Sequence, residues 1–220
     1  MPPSQRRVAV AVAVPGRRLL VGMLIVFLAA VVPAVVVPTL MCRPAEPVLE
    51  ELGPIGRFAL TDERGEPFTE ATFAGHVTFV SFIFTRCDTI CPVTTMKMAV
   101  LQDKTFDARA RLKLVSFSVD PAYDTPARLT EFAQRYKADP TRWRFVTGPV
   151  EPMRALVEGP FMNSMTREQD APSGAPQIAH SGYFLLVDGR GQIRGAYDAN
   201  DIQRLDAMIH DARYLIRTQR

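Results

Sequence analysis

Apolar residues fall into one long uncharged run and a series of shorter runs separated by turn residues. The long run covers residues 19–40, and the most apolar of the shorter runs, residues 79–84, consists largely of β-branched and aromatic residues. A short run of this kind is typical of a buried β-strand, whereas the long run would form a helix of about 33 Å. The chain therefore divides into an apolar N-terminal segment and a folded domain.

Strands and amphipathic helices alternate along the folded domain. The predicted strands are residues 57–60, 67–68, 79–84, 112–119, 143–147, 183–187 and 192–197. One helix begins at Pro92 and another after a cap at residues 124–126, since proline suits the first helical position. Two further helices are predicted at residues 151–158 and 200–217. With the small hairpin at residues 57–68 counted as one β element, the element order is β-β-α-β-α-β-α-β-β-α.

Helical spacing predicts which side chains face the core. In the helix that follows Pro92, Met98 points away from the predicted buried face, which consists of Val93, Met96, Ala99 and Val100. In the last helix the predicted apolar side consists of Ile202, Leu205, Met208, Ile209, Tyr214 and Leu215. His76 and His210 are predicted to be exposed and without a role, the usual situation for an isolated histidine.

Two cysteines follow the strand at residues 79–84. Cys87 and Cys91 are separated by three residues, and Pro92 then favours a helix start. Since a residue before proline avoids helical backbone angles, Cys91 is predicted at the N-cap, where the helix dipole favours a thiolate. A redox or metal site is the prediction; the alternatives are two buried structural cysteines or a structural disulfide.

A dithiol between a strand and its helix, together with the alternating element order, predicts a thioredoxin-like α/β domain. Helices would flank a central mixed sheet, and the ligand site would lie at the carboxyl ends of the strands. Residues 161–179 form a polar, turn-rich segment, and loops of this length are usually functional or disordered. His180 follows this segment directly.

The N-terminus predicts an uncleaved membrane anchor. Arg6, Arg7, Arg17 and Arg18 precede the apolar run, which places the N-terminus in the cytoplasm and the domain outside, on the periplasmic side of the inner membrane. A cleaved signal peptide and a lipoprotein attached through Cys42 are the competing interpretations. The predicted segments are a basic N-terminus (1–18), an anchor (19–40), a linker (41–54) and the domain (55–220).

The net charge excludes one class of partner. The whole chain has a formal charge of +3, but without the four N-terminal arginines it has 22 basic and 23 acidic residues. The resulting charge of −1 leaves no basic excess for binding nucleic acid.

Three stretches resemble the motifs of the Sco family (SCO/SenC). Residues 84–92 resemble its dithiol motif, and residues 118–126 resemble its second motif. His180 with Ser181, followed by residues 186–191, resembles its histidine motif. The motifs lie in the family's order, and the resemblance covers residues 58–214.

The resemblance implies a membrane-tethered, thioredoxin-like protein that binds copper and assists assembly of the CuA centre of cytochrome c oxidase. It implies that Cys87, Cys91 and His180 are the copper ligands and that Asp120 lies beside the site. Its partners would be a copper donor or the copper-receiving oxidase subunit, and a thiol reductant. The chain departs from the family at Asp88, where proline is usual, and at Tyr123, where arginine is common.

The residue types themselves suit this chemistry. Two thiolates and an imidazole are donors that bind Cu(I) and tolerate Cu(II), whereas a structural zinc site would need a fourth ligand. Asp120 followed by proline can also be a simple strand-end turn. A thiol-disulfide oxidoreductase that uses Cys87 and Cys91 without metal is the main alternative. A peroxidase is a third possibility, but it would need a single activated thiol and peroxide-positioning groups that the sequence does not show.

Overall fold

The computed structural model describes residues 16–41, 47, 49–87, 90–167, 178–179 and 182–219. It divides into residues 1–46, which contain helix α1 (Arg17–Met41), and the unit Pro47–Arg220. When only the residues whose side chains are described are considered, no helix is both long enough and apolar enough to cross a membrane.

The strands of the second unit form two sheets in the described part of the chain. They are β1 (Gly53–Pro54), β2 (Ala59–Asp62), β3 (Pro67–Thr69), β4 (Val77–Ile83), β5 (Leu112–Ser118), β6 (Trp143–Thr147), β7 (Thr166–Arg167), β8 (Ile178–Ala179), β9 (Tyr183–Val187) and β10 (Gln192–Asp198). The large sheet has the order β1-β10-β9-β4-β5-β6-β2-β3, and β7 pairs with β8. Strands β4, β5 and β6 are parallel and the other pairs are antiparallel, so the predicted mixed sheet is confirmed.

The helices of this unit are α2 (Ile90–Lys104), α3 (Pro126–Arg135), α4 (Val150–Glu158) and α5 (Ile202–Thr218). Proline begins α3 as predicted, and the hydroxyl of Thr125 accepts a hydrogen bond from the Arg128 N–H at 3.4 Å. Thr125 is therefore the helix cap, which frees the neighbouring Asp124 for another role.

Both faces of the large sheet are buried. Helices α2, α3 and α5 cover one face through a cluster that includes Met98, Leu129 and Met208. Helix α4 covers the other face through a cluster that includes Met153, and Phe68 of β3 belongs to the same cluster. The largely apolar pattern of β4 follows from this arrangement, because every one of its side chains is buried whichever face it occupies.

The buried face of α2 differs from the prediction. Val93, Met96 and Val100 are 48 %, 60 % and 53 % exposed, whereas Met98 is fully buried. Thr94 and Thr95 lie on the buried side, and both hydroxyls donate to the carbonyl of Cys91. Because these internal hydrogen bonds satisfy the threonine hydroxyls, polar residues occupy the core face and the apolar spacing misidentified it.

Four further observations bear on the predicted boundaries and exposed residues. The chain joins the sheet before residue 55, since Gly53 and Pro54 of the predicted linker pair with β10 as β1. Ile202 is 71 % exposed at the start of α5, so it does not belong to the apolar side of that helix. The ends of the long polar segment pair as β7 and β8. His76 is partly exposed and His210 is exposed.

Candidate metal centre

The dithiol lies at the carboxyl end of the central strand β4. The chain turns through residues 84–86, and the Cys87 N–H donates to the Phe84 carbonyl at 3.2 Å. Cys87 is half-buried, Cys91 is fully buried, and both are reduced. The position agrees with the predicted ligand site at the carboxyl ends of parallel strands.

Cys91 lies in the first turn of α2 and not at its N-cap. The helix begins at Ile90, and the Cys91 N–H points to the sulfur of Cys87 at 3.4 Å. An N–H in the first turn has no acceptor within the helix, and a sulfur with anionic character can take that place. The amino end of the helix therefore stabilises charge on Cys87, which corrects the prediction that it would act on Cys91.

The pKa of the Cys91 thiol is raised well above its usual range. A side-chain hydrogen bond between the Cys91 thiol and Cys87 is the main cause, followed by burial and by the charge on Cys87. The two cysteines therefore differ in character: Cys91 is enclosed and its thiol is harder to deprotonate, whereas Cys87 is the more exposed of the two sulfurs.

Asp124 fixes the loop that carries Cys87. Its carboxylate accepts the Thr85 N–H at 3.2 Å, the Thr85 hydroxyl at 2.5 Å and the Ser118 hydroxyl at 2.6 Å. The Asp124 side chain is fully buried, and this burial raises its pKa although the hydrogen bonds oppose the shift. The end of β5 is thereby tied to the turn that precedes the dithiol.

Asp120 lies beside this clamp and forms an ion pair. Its carboxylate accepts the Nε–H of Arg86 at 2.7 Å, and this hydrogen bond raises the pKa of the guanidinium. The Asp120 N–H donates to the hydroxyl of Ser118 at 3.0 Å. Asp120 is therefore paired with Arg86, the residue that immediately precedes Cys87.

The guanidinium groups of two arginines stack on the ring of Tyr123. The Cζ atom of Arg86 lies 4.3 Å from the centroid of the Tyr123 ring, and that of Arg128 lies 3.8 Å from it. Arg128 also donates to the Tyr123 carbonyl at 2.6 Å. The second departure from the family pattern thus supplies a flat aromatic surface on which two cations stack.

The proposed third ligand and one departure lie outside the described residues. His180 and Asp88 belong to the segments that the structure does not describe. In the described part of the chain, no group of three or more His, Cys, Asp or Glu residues is placed to hold a metal. The described donors are two neighbouring sulfurs, and this soft pair fits copper better than it fits a hard cation.

Sequence reasoning missed Asp124 as a loop clamp and Arg86 as the partner of Asp120. The Asp124 N–H donates back to the Asp120 carbonyl at 2.9 Å, which turns the chain and brings both carboxylates to the same end of the sheet. Two acidic residues spaced four apart after a buried strand were the available signal. Assigning Asp124 to the helix cap concealed it.

The fold and the site together define a thioredoxin-like α/β domain with a dithiol between its central strand and the following helix. The family model described as SCO1/SenC matches residues 50–217. The chain therefore belongs to the SCO1/SenC family.

Individual relatives agree with this assignment. The SCO1 protein homolog of Bacillus subtilis (strain 168) is 31 % identical over 156 residues, which cover 71 % of this chain and 79 % of the relative. The structure of BsSco, described as containing a disulfide switch and as a cytochrome c oxidase assembly protein, is 28 % identical with a TM-score of 0.64, covering 78 % of this chain and 96 % of BsSco. Copper-bound ScoI of Arabidopsis thaliana is 25 % identical with a TM-score of 0.63, covering 72 % of this chain and 97 % of ScoI.

Proposed function

We propose that this chain is a membrane-anchored copper-binding thiol protein that assists assembly of the CuA centre of cytochrome c oxidase. Family membership supports the proposal, as do the copper in Arabidopsis ScoI and the description of BsSco as an oxidase assembly protein. The observation that carries it is the contact between the Cys91 N–H and the Cys87 sulfur at 3.4 Å, which brings two soft donors together.

The proposed ligands are Cys87, Cys91 and His180. Copper would displace the proton of the Cys91 thiol, whose pKa is raised in the metal-free chain. The Cys91 N–H would continue to stabilise charge on the Cys87 sulfur, and Asp124 would hold the loop in place through Thr85. Asp120 would act on the site through its ion pair with Arg86.

Replacing His180 with alanine should separate copper handling from thiol chemistry. It removes one of the three proposed ligands and leaves both sulfurs unchanged. Copper affinity of the full chain should therefore fall by about 100-fold or more, while thiol-disulfide exchange continues at the wild-type rate. Competition with a Cu(I) chelator measures the first quantity, and reduction of a disulfide substrate measures the second.

Replacing His210 with alanine is the matched control, because this exposed histidine lies on α5 and its Nδ1 contacts Asp211 at 3.3 Å. In a host that makes a CuA-type oxidase, wild type and His210→Ala should restore oxidase assembly, and His180→Ala should not. Full restoration by His180→Ala would mean that copper handling is not the essential activity.

A thiol-disulfide oxidoreductase is the second candidate, favoured by the unequal exposure of the two cysteines. The Cys87 thiolate would attack a partner disulfide, forming a mixed disulfide and releasing one partner thiolate. Cys91 would then lose its proton and attack the Cys87 sulfur, releasing the second partner thiolate. Two electrons pass to the partner, the Cys87–Cys91 disulfide forms, and the proton released by Cys91 goes to one of the two partner thiolates.

The proposal places the chain in the inner membrane with its domain on the periplasmic side. Support comes from the uncharged run at residues 19–40, the preceding arginines, and the exposed apolar side chains at residues 21–28 of α1. The full chain should therefore stay in the membrane pellet after carbonate extraction and keep its original N-terminus on sequencing.

A chain reduced to residues 47–220 is the control and should appear in the supernatant. A soluble mature protein that begins after residue 40 would contradict the anchor and indicate signal-peptide cleavage.

A further inference from the structure

The rim of the dithiol site carries two guanidinium groups and one ion-paired carboxylate. Arg86, Tyr123 and Arg128 form this surface, which we name the arginine platform. The carboxylate of Asp120 compensates the charge of Arg86, with 2.7 Å between its Oδ2 atom and the Nε atom of Arg86. Within the described part of the chain, no carboxylate lies within ion-pair distance of Arg128, which is exposed. Among the described residues, the platform therefore presents one positive charge that no carboxylate pairs with.

The platform is held in place before any partner binds. Both guanidinium groups stack on the Tyr123 ring, and Arg128 is fixed further by donating to the Tyr123 carbonyl at 2.6 Å. A free arginine loses considerable rotamer freedom when it binds, whereas a stacked one has already lost much of it. This arrangement suits binding of a planar carboxylate through two parallel N–H donors.

The platform lies where a protein that receives the metal would contact this chain. Copper passes between two proteins only if ligands of both reach the metal together, so the rim of the donor site must touch the partner. Arg86 adjoins Cys87 in the chain, and Arg128 stacks on the same ring as Arg86. A partner that reaches the Cys87 sulfur therefore meets the platform.

We propose that the arginine platform binds a carboxylate on the surface of the copper-receiving protein and so orients that protein over the dithiol. This inference rests on the proposed function. An acidic protein surface is the occupant that the charge favours, because the domain as a whole has no basic excess for a nucleic acid. The positive charge is local and confined to the rim of the metal site.

Binding of the full chain to the purified CuA-bearing domain of the host oxidase tests the proposal. In detergent, with both proteins free of metal, the dissociation constant is measured calorimetrically at about 50 mM and about 200 mM salt. Arg128→Gln should weaken binding about tenfold at the lower salt concentration and by less at the higher one. Arg128→Lys should lie between wild type and Arg128→Gln, since it keeps the charge but loses the planar donors.

Arg109→Gln is the matched control. Arg109 also stacks on a ring, 4.3 Å from the centroid of Phe106, and donates to the Phe106 carbonyl at 3.1 Å, but it lies beyond the opposite end of α2. This control should bind like wild type, and Arg128→Gln should keep wild-type Cu(I) affinity. Wild-type binding by Arg128→Gln would overturn the platform proposal alone. If the wild-type chain did not bind this domain, the proposal that the domain receives copper from this protein would fail, and the platform proposal would fail with it.

Discussion

Replacing both Cys87 and Cys91 with serine should abolish copper binding. Wild type should bind one copper per chain, and its Cu(II) form should show strong sulfur-to-copper charge-transfer absorption. Serine has a similar size but offers a hard, protonated hydroxyl in place of a thiolate, so the imidazole would be the only soft or borderline donor left among the three proposed ligands. Metal content after gel filtration and the absorption spectrum measure the two losses.

Cys42→Ser is the matched control, because Cys42 lies outside the unit that carries the dithiol. It should bind copper with the wild-type stoichiometry and spectrum. Undiminished binding in the Cys87→Ser, Cys91→Ser chain would show that the metal is held elsewhere, and the assignment of the two sulfurs would be lost.

Replacing Asp124 with alanine should lower the free energy of unfolding by about 3 kcal/mol or more. The Thr85 N–H, the Thr85 hydroxyl and the Ser118 hydroxyl would all lose their acceptor in a buried place. Guanidinium unfolding of residues 47–220, followed through the fluorescence of the single buried tryptophan, Trp143, measures the change. Copper affinity should fall as well, because the turn that carries Cys87 loses its fixed position.

Asp201→Ala is the control for removing a carboxylate that accepts hydrogen bonds. Asp201 caps α5 by accepting the N–H groups of Gln203 and Arg204, but it is exposed. Its loss should cost about 1 kcal/mol and leave copper affinity unchanged. Equal destabilisation by Asp124→Ala and Asp201→Ala would refute the role of Asp124 as a buried clamp.

The pH dependence of stability should identify the Asp124 carboxylate. Because burial raises its pKa in the folded chain above the ordinary value of 3.8, the folded state binds this proton more tightly than the unfolded state. Its contribution to stability is therefore fully present below the ordinary pKa and is lost as pH rises through the folded pKa. Relative to Asp124→Asn, wild type should be most stable at the acid end of this range.

The sequence predicted the sheet and the place of the dithiol because the relevant signals are local. The apolar run of β4 and the proline after Cys91 mark a strand and a helix start within a few residues. Asp124 and Arg86 were missed because their partners are remote in sequence: Thr85 lies 39 residues before Asp124, and Arg86 lies 34 residues before Asp120. Only the parallel pairing of β4 with β5 brings these groups together.

The buried face of α2 was predicted wrongly for a different reason. Hydropathy spacing treats threonine as a surface residue, but Thr95 donates to the Cys91 carbonyl at 2.6 Å and is fully buried. Met96 is therefore exposed and Met98 is buried, the reverse of the prediction. A hydrogen bond from a side chain to its own helix leaves little trace in an apolar pattern.

The closeness of Cys87 and Cys91 in the chain also determines how their oxidation affects folding. A cross-link stabilises a protein chiefly by restricting its unfolded chain, and a loop of about five residues restricts it by only about 2 kcal/mol, against about 4.7 kcal/mol for a loop of 100 residues. The cores on both faces of the sheet do not depend on that bond, since the cysteines are reduced in the folded structure. We therefore expect the domain to stay folded in both the dithiol and the disulfide state.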